Sequence, residues 1–112
     1  MLVENLDYSE INFDEMAASI GLKPKHVPML IGVFLEESET ILSNLASAVE
    51  SRDYPAIKLH AHSIKGSAGN LKFNELYEMA KEMEFAAAEE NEAFEYSRYL
   101  QAVQNGIKTV PN

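Results

Sequence analysis

Residues 53–71 read DYPAIKLHAHSIKGSAGNL, and the apolar pattern of this stretch decides the fold. Its apolar residues recur at intervals of four, three, four and three positions, which lines them up along one narrow stripe of an α-helix. The stripe residues are Ile57, Ala61, Ile64, Ala68 and Leu71. Asp53 is a good N-cap for this helix, and Pro55 is tolerated in its first turn. We therefore predict a helix over residues 54–70 with one buried face.

The helical spacing of apolar residues continues on both sides of this stretch. It predicts a short leading helix over about 12–22 and three longer helices over about 27–51, 73–90 and 92–109. No segment combines two-residue alternation with β-branched residues, so no strand is predicted. Because short connections force neighbouring helices to run antiparallel, we expect an all-α fold. Its form is an up-down-up-down four-helix bundle with a short N-terminal helix in front.

Each of the other three long helices has an apolar stripe of its own. The predicted inward residues are Leu30, Ile31, Phe34, Ile41, Leu45, Ala48 and Val49 in the first, Leu76, Ala80, Met83 and Ala87 in the next, and Tyr96, Leu100, Val103 and Ile107 in the last. The remaining positions are mostly polar, which is typical of helices with one face in water.

Length, composition and charge exclude several classes of protein. The chain has 112 residues, 46% apolar and 24% charged, which is typical of one globular domain, here spanning residues 1–112. Its formal net charge of −9 disfavours nucleic acid and anionic membranes as partners. With no cysteine, it has neither disulfides nor thiolate metal sites. The acidic start does not resemble a signal peptide, and no apolar run is long enough to span a membrane, so we expect a cytoplasmic protein.

The stretch around residue 62 differs in charge from the rest of the chain. Residues 54–74 contain three lysines and no carboxylate, so this segment carries +3 while the remainder carries −12. Lys58, Lys65 and Lys72 are seven residues apart and therefore lie on one side of the helix. His62 shares that side, because it follows Lys58 by four residues and precedes Lys65 by three.

Two glycines, Gly66 and Gly69, lie on the same side, four and seven residues beyond His62. A glycine inside a helix costs roughly 1 kcal/mol relative to alanine, so each needs a physical reason. One reason is clearance, since a bare patch beside His62 lets the surface of another protein come close. The other is that Gly69 and Asn70 end the helix while Gly66 is only tolerated. Clearance is favoured for Gly66, and both readings stay open for Gly69.

An exposed imidazole between lysines indicates phosphoryl chemistry. Neighbouring cations favour the neutral form of an imidazole, whose ring nitrogen is a nucleophile near pH 7. Such a nitrogen can accept a phosphoryl group, and the ammonium groups would pair with the phosphoryl oxygens. The alternative is a solvated surface histidine beside lysines that pair with Glu75, Glu78 or Glu82 of the next helix. His60 lies about 200° round the helix from His62, nearer the buried stripe.

Residues 62–71, HSIKGSAGNL, closely resemble the signature of histidine-containing phosphotransfer (HPt) domains. That signature is a histidine, two residues, Lys-Gly, and a run of small residues that ends in Gly-Asn-Leu. The resemblance spans nearly the whole chain, including FDEM at 13–16, FLEE at 34–37 and MEFAA at 83–87. Many relatives carry glycine directly after the leucine, where this chain has Lys72.

The resemblance implies specific roles for these residues. His62 would be the phosphorylated residue, Lys65 would lie beside the phosphoryl group, and Gly66 would leave room for a partner. The partners would be receiver domains of response regulators and of hybrid sensor histidine kinases, in bacterial multistep two-component signalling. We expect a monomeric phosphorelay intermediate that takes a phosphoryl group from one receiver aspartate and passes it to another receiver. It would need no cofactor and have no ATP site of its own. The predicted docking residues are Lys58, Gly66, Gly69 and Lys72.

Other classes of function fit the residues less well. His60 and His62 point to opposite sides of a helix, so they cannot share a metal ion as an i, i+4 pair does. A histidine kinase needs a nucleotide cradle, but the glycines at 66 and 69 follow no strand and lack phosphate-binding spacing. A helical adaptor without phosphotransfer is the remaining alternative, and incubation with a phosphorylated receiver would distinguish it.

Overall fold

The computed structural model, which describes residues 1–112, contains helices and turns but no strand. Its elements are α1 (Phe13–Ile20), a short 3₁₀ turn (Pro24–His26), α2 (Val27–Ser51), α3 (Tyr54–Asn70), α4 (Asn74–Ala88) and α5 (Tyr96–Lys108). α3 packs between α2 and α4, and α5 closes the ring by contacting α4 and α2. The all-α bundle predicted from the sequence is confirmed, and it measures 43 × 22 × 20 Å.

Two helices begin at side-chain caps. Asn12 Oδ1 accepts a hydrogen bond from the backbone N–H of Glu15 at 3.1 Å, at the start of α1. Asp53 Oδ1 accepts one from the backbone N–H of Ala56 at 3.2 Å, at the start of α3. Both caps satisfy N–H groups that have no partner within the first helical turn. The Asp53 cap thereby sets where α3 starts.

Four of the helices are followed by a residue with positive φ. The backbone hydrogen bonds at these four helix C-termini form the pattern of a Schellman motif. These residues are Gly21, Arg52, Lys72 and Glu90, with φ of 73°, 55°, 62° and 51°. Three of them carry a side chain, although the left-handed region costs an L-residue roughly 1–2 kcal/mol. Lys72 thus occupies the position after the leucine where many relatives carry glycine, and the backbone there favours glycine.

α5 begins at Tyr96, whereas the sequence predicted a start near residue 92. The reason is a turn at Asn91, whose Oδ1 accepts a hydrogen bond from the backbone N–H of Ala93 at 3.0 Å. The Tyr96 hydroxyl donates to the Asn91 carbonyl at 2.9 Å and closes the turn from the other side. α4 ends at Ala88, two residues earlier than predicted.

The apolar stripe of α3 is buried along its whole length, and the inward residues predicted for α4 and α5 are buried with it. In α2, Leu30 and Ile41 are only half-buried, while the other five predicted inward residues are buried. Burial of the stripe fixes the rotation of α3, so its opposite face is turned to solvent. None of the helices has the length and apolar character needed to cross a lipid bilayer.

Residues 1–11, to which the sequence pattern assigned no element, form a strap along α4 and α5. Leu6 packs on Gly106 of α5, where an added Cβ would lie 2.9 Å from Leu6 Cδ2. The Tyr8 hydroxyl donates a hydrogen bond to Glu75 Oε1 on α4 at 2.9 Å. Burial and the neighbouring Glu75 carboxylate raise the pKa of Tyr8 well above its ordinary value. The strap therefore fills the groove between the last two helices.

Candidate functional site

The outward face of α3 presents His62 to solvent. Its side chain is 64% exposed, because it lies on the side of the helix away from the buried stripe. His60, two residues earlier, is half-buried. The two histidines therefore differ in exposure in the way the helical spacing predicts.

Glu84 of α4 is the site residue that sequence reasoning missed. Its side chain is only 11% exposed, and its carboxylate bridges two residues of α3. Oε2 lies 2.8 Å from His62 Nδ1, and Oε1 lies 2.7 Å from Lys65 Nζ. The sequence did contain a signal for Glu84, because it follows the inward residue Met83 and lies one turn after the inward residue Ala80. A carboxylate so close to the buried face of a helix needs a charged or hydrogen-bonding partner.

The Glu84 carboxylate is ionised at neutral pH. Burial raises the pKa of this carboxyl, but the hydrogen bonds and positive charge of Lys65 and His62 lower it by more. The net pKa is below its ordinary value. A negative charge is therefore held directly against one nitrogen of the His62 ring.

This contact distinguishes the two ring nitrogens of His62. An ionised carboxylate only accepts hydrogen bonds, so Nδ1 donates its N–H to Glu84. In the neutral imidazole, Nε2 then holds the lone pair. A carboxylate on one ring nitrogen also fixes the orientation of the ring. The geometry leaves Nε2 as the ring nitrogen whose lone pair is not engaged by Glu84.

Lys65 is less open to solvent than the sequence predicted. Its side chain is 19% exposed, and its partner is Glu84 rather than Glu75, Glu78 or Glu82. The ring of Phe85, the residue after Glu84, lies 6.0 Å from the Lys65 ammonium. Lys65 therefore forms an ion pair with the same carboxylate that accepts the hydrogen bond of His62.

The two glycines of this face differ in what surrounds them. A Cβ built on Gly66 would meet no atom within 4 Å, so the surface next to His62 is bare. A Cβ on Gly69 would lie 3.2 Å from Tyr77 Cδ2 on α4. The space at Gly69 is thus taken by Tyr77 and not left open, so the docking role of Gly69 stays a prediction without the clearance seen at Gly66. Gly69 instead lets α3 and α4 pack closely.

The other two lysines of the predicted face are exposed but lie at different distances from His62. Lys58, one turn earlier, lines the same open depression as His62 and Glu84. Lys72 lies ten residues beyond His62, about 15 Å along the helix axis, in the turn that ends α3. Of these two lysines, only Lys58 therefore lies close to the imidazole.

Two large apolar side chains near the site are open to solvent. Leu59 is 61% exposed and lines the depression beside His62. Phe85 is 54% exposed, and the Lys81 ammonium lies 5.7 Å from its ring. Exposed apolar side chains next to a bare glycine are typical of a surface that binds another protein.

The fold and the site define a helical bundle that displays an exposed histidine, held by a buried carboxylate, near an open glycine and exposed apolar side chains. A protein-family model described as Hpt domain matches residues 29–110, which is most of the chain and includes both His62 and Glu84. The chain belongs to the HPt domain family. Members of this family carry out histidine phosphotransfer in phosphorelays, as carriers without an ATP site of their own, and they interact with receiver domains. Searches of curated proteins and of solved structures found no significant match to this chain.

Proposed function

We propose that this HPt domain is a phosphorelay intermediate whose phosphorylated atom is Nε2 of His62. It accepts a phosphoryl group from the aspartate of one receiver domain and passes it to the aspartate of another. The observation that carries this proposal is the exposed imidazole whose Nδ1 is held by the buried, ionised Glu84 carboxylate.

The transfer step requires no proton to move. The Nε2 lone pair attacks phosphorus, an N–P bond forms, and the bond from phosphorus to the aspartyl oxygen breaks. The aspartate leaves as a carboxylate with the bonding electron pair. Nδ1 keeps its proton, so the phosphorylated ring is cationic and Glu84 lies against it as the counter-charge. The second transfer is the reverse of the same step on another receiver.

Lys65 supports this chemistry from its position beside Glu84. Its ammonium keeps the carboxylate ionised, which keeps Nδ1 as a donor and Nε2 as the nucleophile. It also brings positive charge near the place where the phosphoryl group gathers negative charge during transfer. Lys65 is thereby a positioning residue for His62.

The surface around His62 supports approach by a receiver domain. Gly66 leaves open space one turn from the imidazole, Leu59 offers apolar contact area beside His62, and Phe85 offers more beside Lys65. Lys58 and Lys72 add positive charge to an otherwise acidic molecule, which favours encounter with an acidic receiver site.

The test is transfer from a receiver domain carrying a labelled aspartyl phosphate. We expect acid-labile, base-stable label to appear on the wild-type domain and then on a second, unlabelled receiver. His62→Gln should abolish the label and keep the helical content, with a melting temperature lowered only by the loss of the hydrogen bond to Glu84. His60→Gln is the matched control, with the same substitution two residues away, and it should keep the label. Binding of the receiver without transfer would instead support the adaptor alternative.

A further inference from the structure

The open depression beside His62 lies over the turn of α3 that precedes it. Its lining residues are Pro55, Lys58, Leu59, His62 and Glu84. Side chains on a helix lean toward its N-terminus, so the His62 ring lies over the turn that contains Lys58. Because Nδ1 is held at Glu84, a group attached to Nε2 projects away from the carboxylate into this open space.

The two lysines nearest His62 are not equally free to bind such a group. The Lys65 ammonium is 2.7 Å from Glu84 Oε1 and its side chain is mostly buried. Moving it onto a phosphoryl group would leave a buried carboxylate without its cation, which is unfavourable. Lys58 is exposed and takes part in none of the ion pairs of the structure, so it has no partner to give up.

We propose that Lys58 is a phosphoryl-binding residue of this site, whose ammonium pairs with the phosphoryl oxygens on His62 while Lys65 remains on Glu84. The spacing suits this contact, since residues four apart on a helix are neighbours. A charge-assisted contact of this kind stabilises the phosphorylated form and the transition state that leads to it. This inference rests on the proposed function of His62.

A small phosphodonor tests the contact without the influence of docking. Phosphoramidate gives up its phosphoryl group to Nε2: its N–P bond breaks, the Nε2–P bond forms, and ammonia leaves. The full chain would be loaded in this way, with phosphohistidine followed by ³¹P NMR and by mass. The variants are Lys58→Gln, Lys65→Gln, and Lys108→Gln, which removes the same charge from the exposed last turn of α5.

We expect Lys58→Gln to load about fivefold more slowly than wild type, as for the loss of one solvent-exposed charge contact. The pH at which the phosphoryl group takes up a proton, read from its ³¹P shift, should rise in Lys58→Gln. A nearby ammonium favours the more negative form, so removing it has this effect, whereas a merely structural role would not. Lys58→Arg should restore both values, and Lys108→Gln should match wild type.

Two results would overturn the inference while leaving the proposed function intact. One is a Lys58→Gln domain that loads His62 as fast as Lys108→Gln does and whose phosphoryl group titrates at the same pH. The other is a shift of the phosphoryl titration in Lys65→Gln but not in Lys58→Gln, which would make Lys65 the phosphoryl partner. A wild-type chain that takes no phosphate on His62 from either phosphoramidate or a receiver would contradict the proposed function and the inference with it.

Discussion

At the scale of single residues, the properties of His62 depend on a side chain 22 positions later in the chain. Glu84 accepts from Nδ1 with one oxygen and meets Lys65 with the other. A carboxylate that bridges an imidazole and an ammonium joins all three groups in one hydrogen-bond network. Changes at Glu84 should consequently affect both stability and reactivity.

Replacing Glu84 with glutamine should lower stability and slow transfer. The loss of a charged hydrogen-bond acceptor is worth about 1.5 kcal/mol of unfolding free energy at pH 7. Loading of His62 should slow on the order of tenfold, because an amide holds Nδ1–H less strongly than a carboxylate does. Urea unfolding and phosphoramidate loading measure the two effects. Glu78→Gln, at an exposed position of the same helix, is the control and should change neither.

The stability difference between wild type and Glu84→Gln should depend on pH. The folded pKa of Glu84 is below its ordinary, unfolded value, so its contribution is complete above that ordinary value. The contribution is lost as pH falls through the folded pKa. Urea midpoints measured between pH 7 and pH 3 should therefore converge in the acid range. A difference that stays constant down to pH 3 would mean that the charge of Glu84 is not what stabilises the fold.

A substitution at Gly66 should change receiver docking and fold stability in opposite directions. Gly66→Gln should raise the free energy of unfolding by somewhat under 1 kcal/mol, because the site is open and glycine is a poor helix former. Transfer from a phosphorylated receiver should slow strongly, since the side chain enters the space that the partner needs. Loading by phosphoramidate should not change. Gly69→Ala should gain less stability than Gly66→Ala, because its Cβ meets the Tyr77 ring whereas the Cβ at residue 66 meets nothing.

Two outcomes would contradict this account of Gly66. A Gly66→Gln domain that melts below wild type would mean that the glycine contributes to packing. A domain that melts higher and still receives phosphate from receivers at the normal rate would leave the glycine without a docking role.

At the scale of the helices, the chain reverses direction with little help from glycine. α2, α3 and α4 each end in a Schellman turn whose left-handed residue carries a side chain. The turns are short because the backbone N–H groups that follow each helix bond back to carbonyl groups of its last turn. These short turns hold neighbouring helices antiparallel and keep α4, with Glu84, against α3.

Glycine at these three positions should stabilise the domain. Each of Arg52→Gly, Lys72→Gly and Glu90→Gly should raise the free energy of unfolding by up to about 1 kcal/mol, since glycine adopts positive φ without steric cost. Urea denaturation of each single variant measures the effect. Glu36→Gly, at an exposed position inside α2, should lower stability by a similar amount. Equal losses at all four positions would show that the left-handed turns carry no strain.

At the scale of the whole molecule, negative charge surrounds one positive strip. The segment 54–74 carries +3 in a chain of net −9. Most of the 18 carboxylates lie at exposed positions and outnumber the cations available to pair with them. The folded state therefore bears electrostatic self-repulsion, while the strip beside His62 attracts acidic partners.

Added salt should stabilise the isolated domain and weaken its association with receivers. Screening reduces self-repulsion, so the urea midpoint should rise between about 10 and 150 mM ionic strength. The same screening should slow transfer from a receiver while leaving phosphoramidate loading less affected. A urea midpoint that falls with added salt would mean that the attraction within the few ion pairs exceeds the repulsion among the excess carboxylates.

The sequence by itself determined the helices, the buried stripe of α3 and the exposure of His62. These follow from apolar periodicity and from caps such as Asp53, which act between residues close together in the chain. Only the tertiary structure decided that Glu84 joins His62 to Lys65 and that Gly69 accommodates Tyr77. Both contacts depend on how α4 is rotated and packed against α3, because residues far apart in sequence meet only when two buried faces are joined. The periodicity of one helix contains no information about which residue of its neighbour lies opposite.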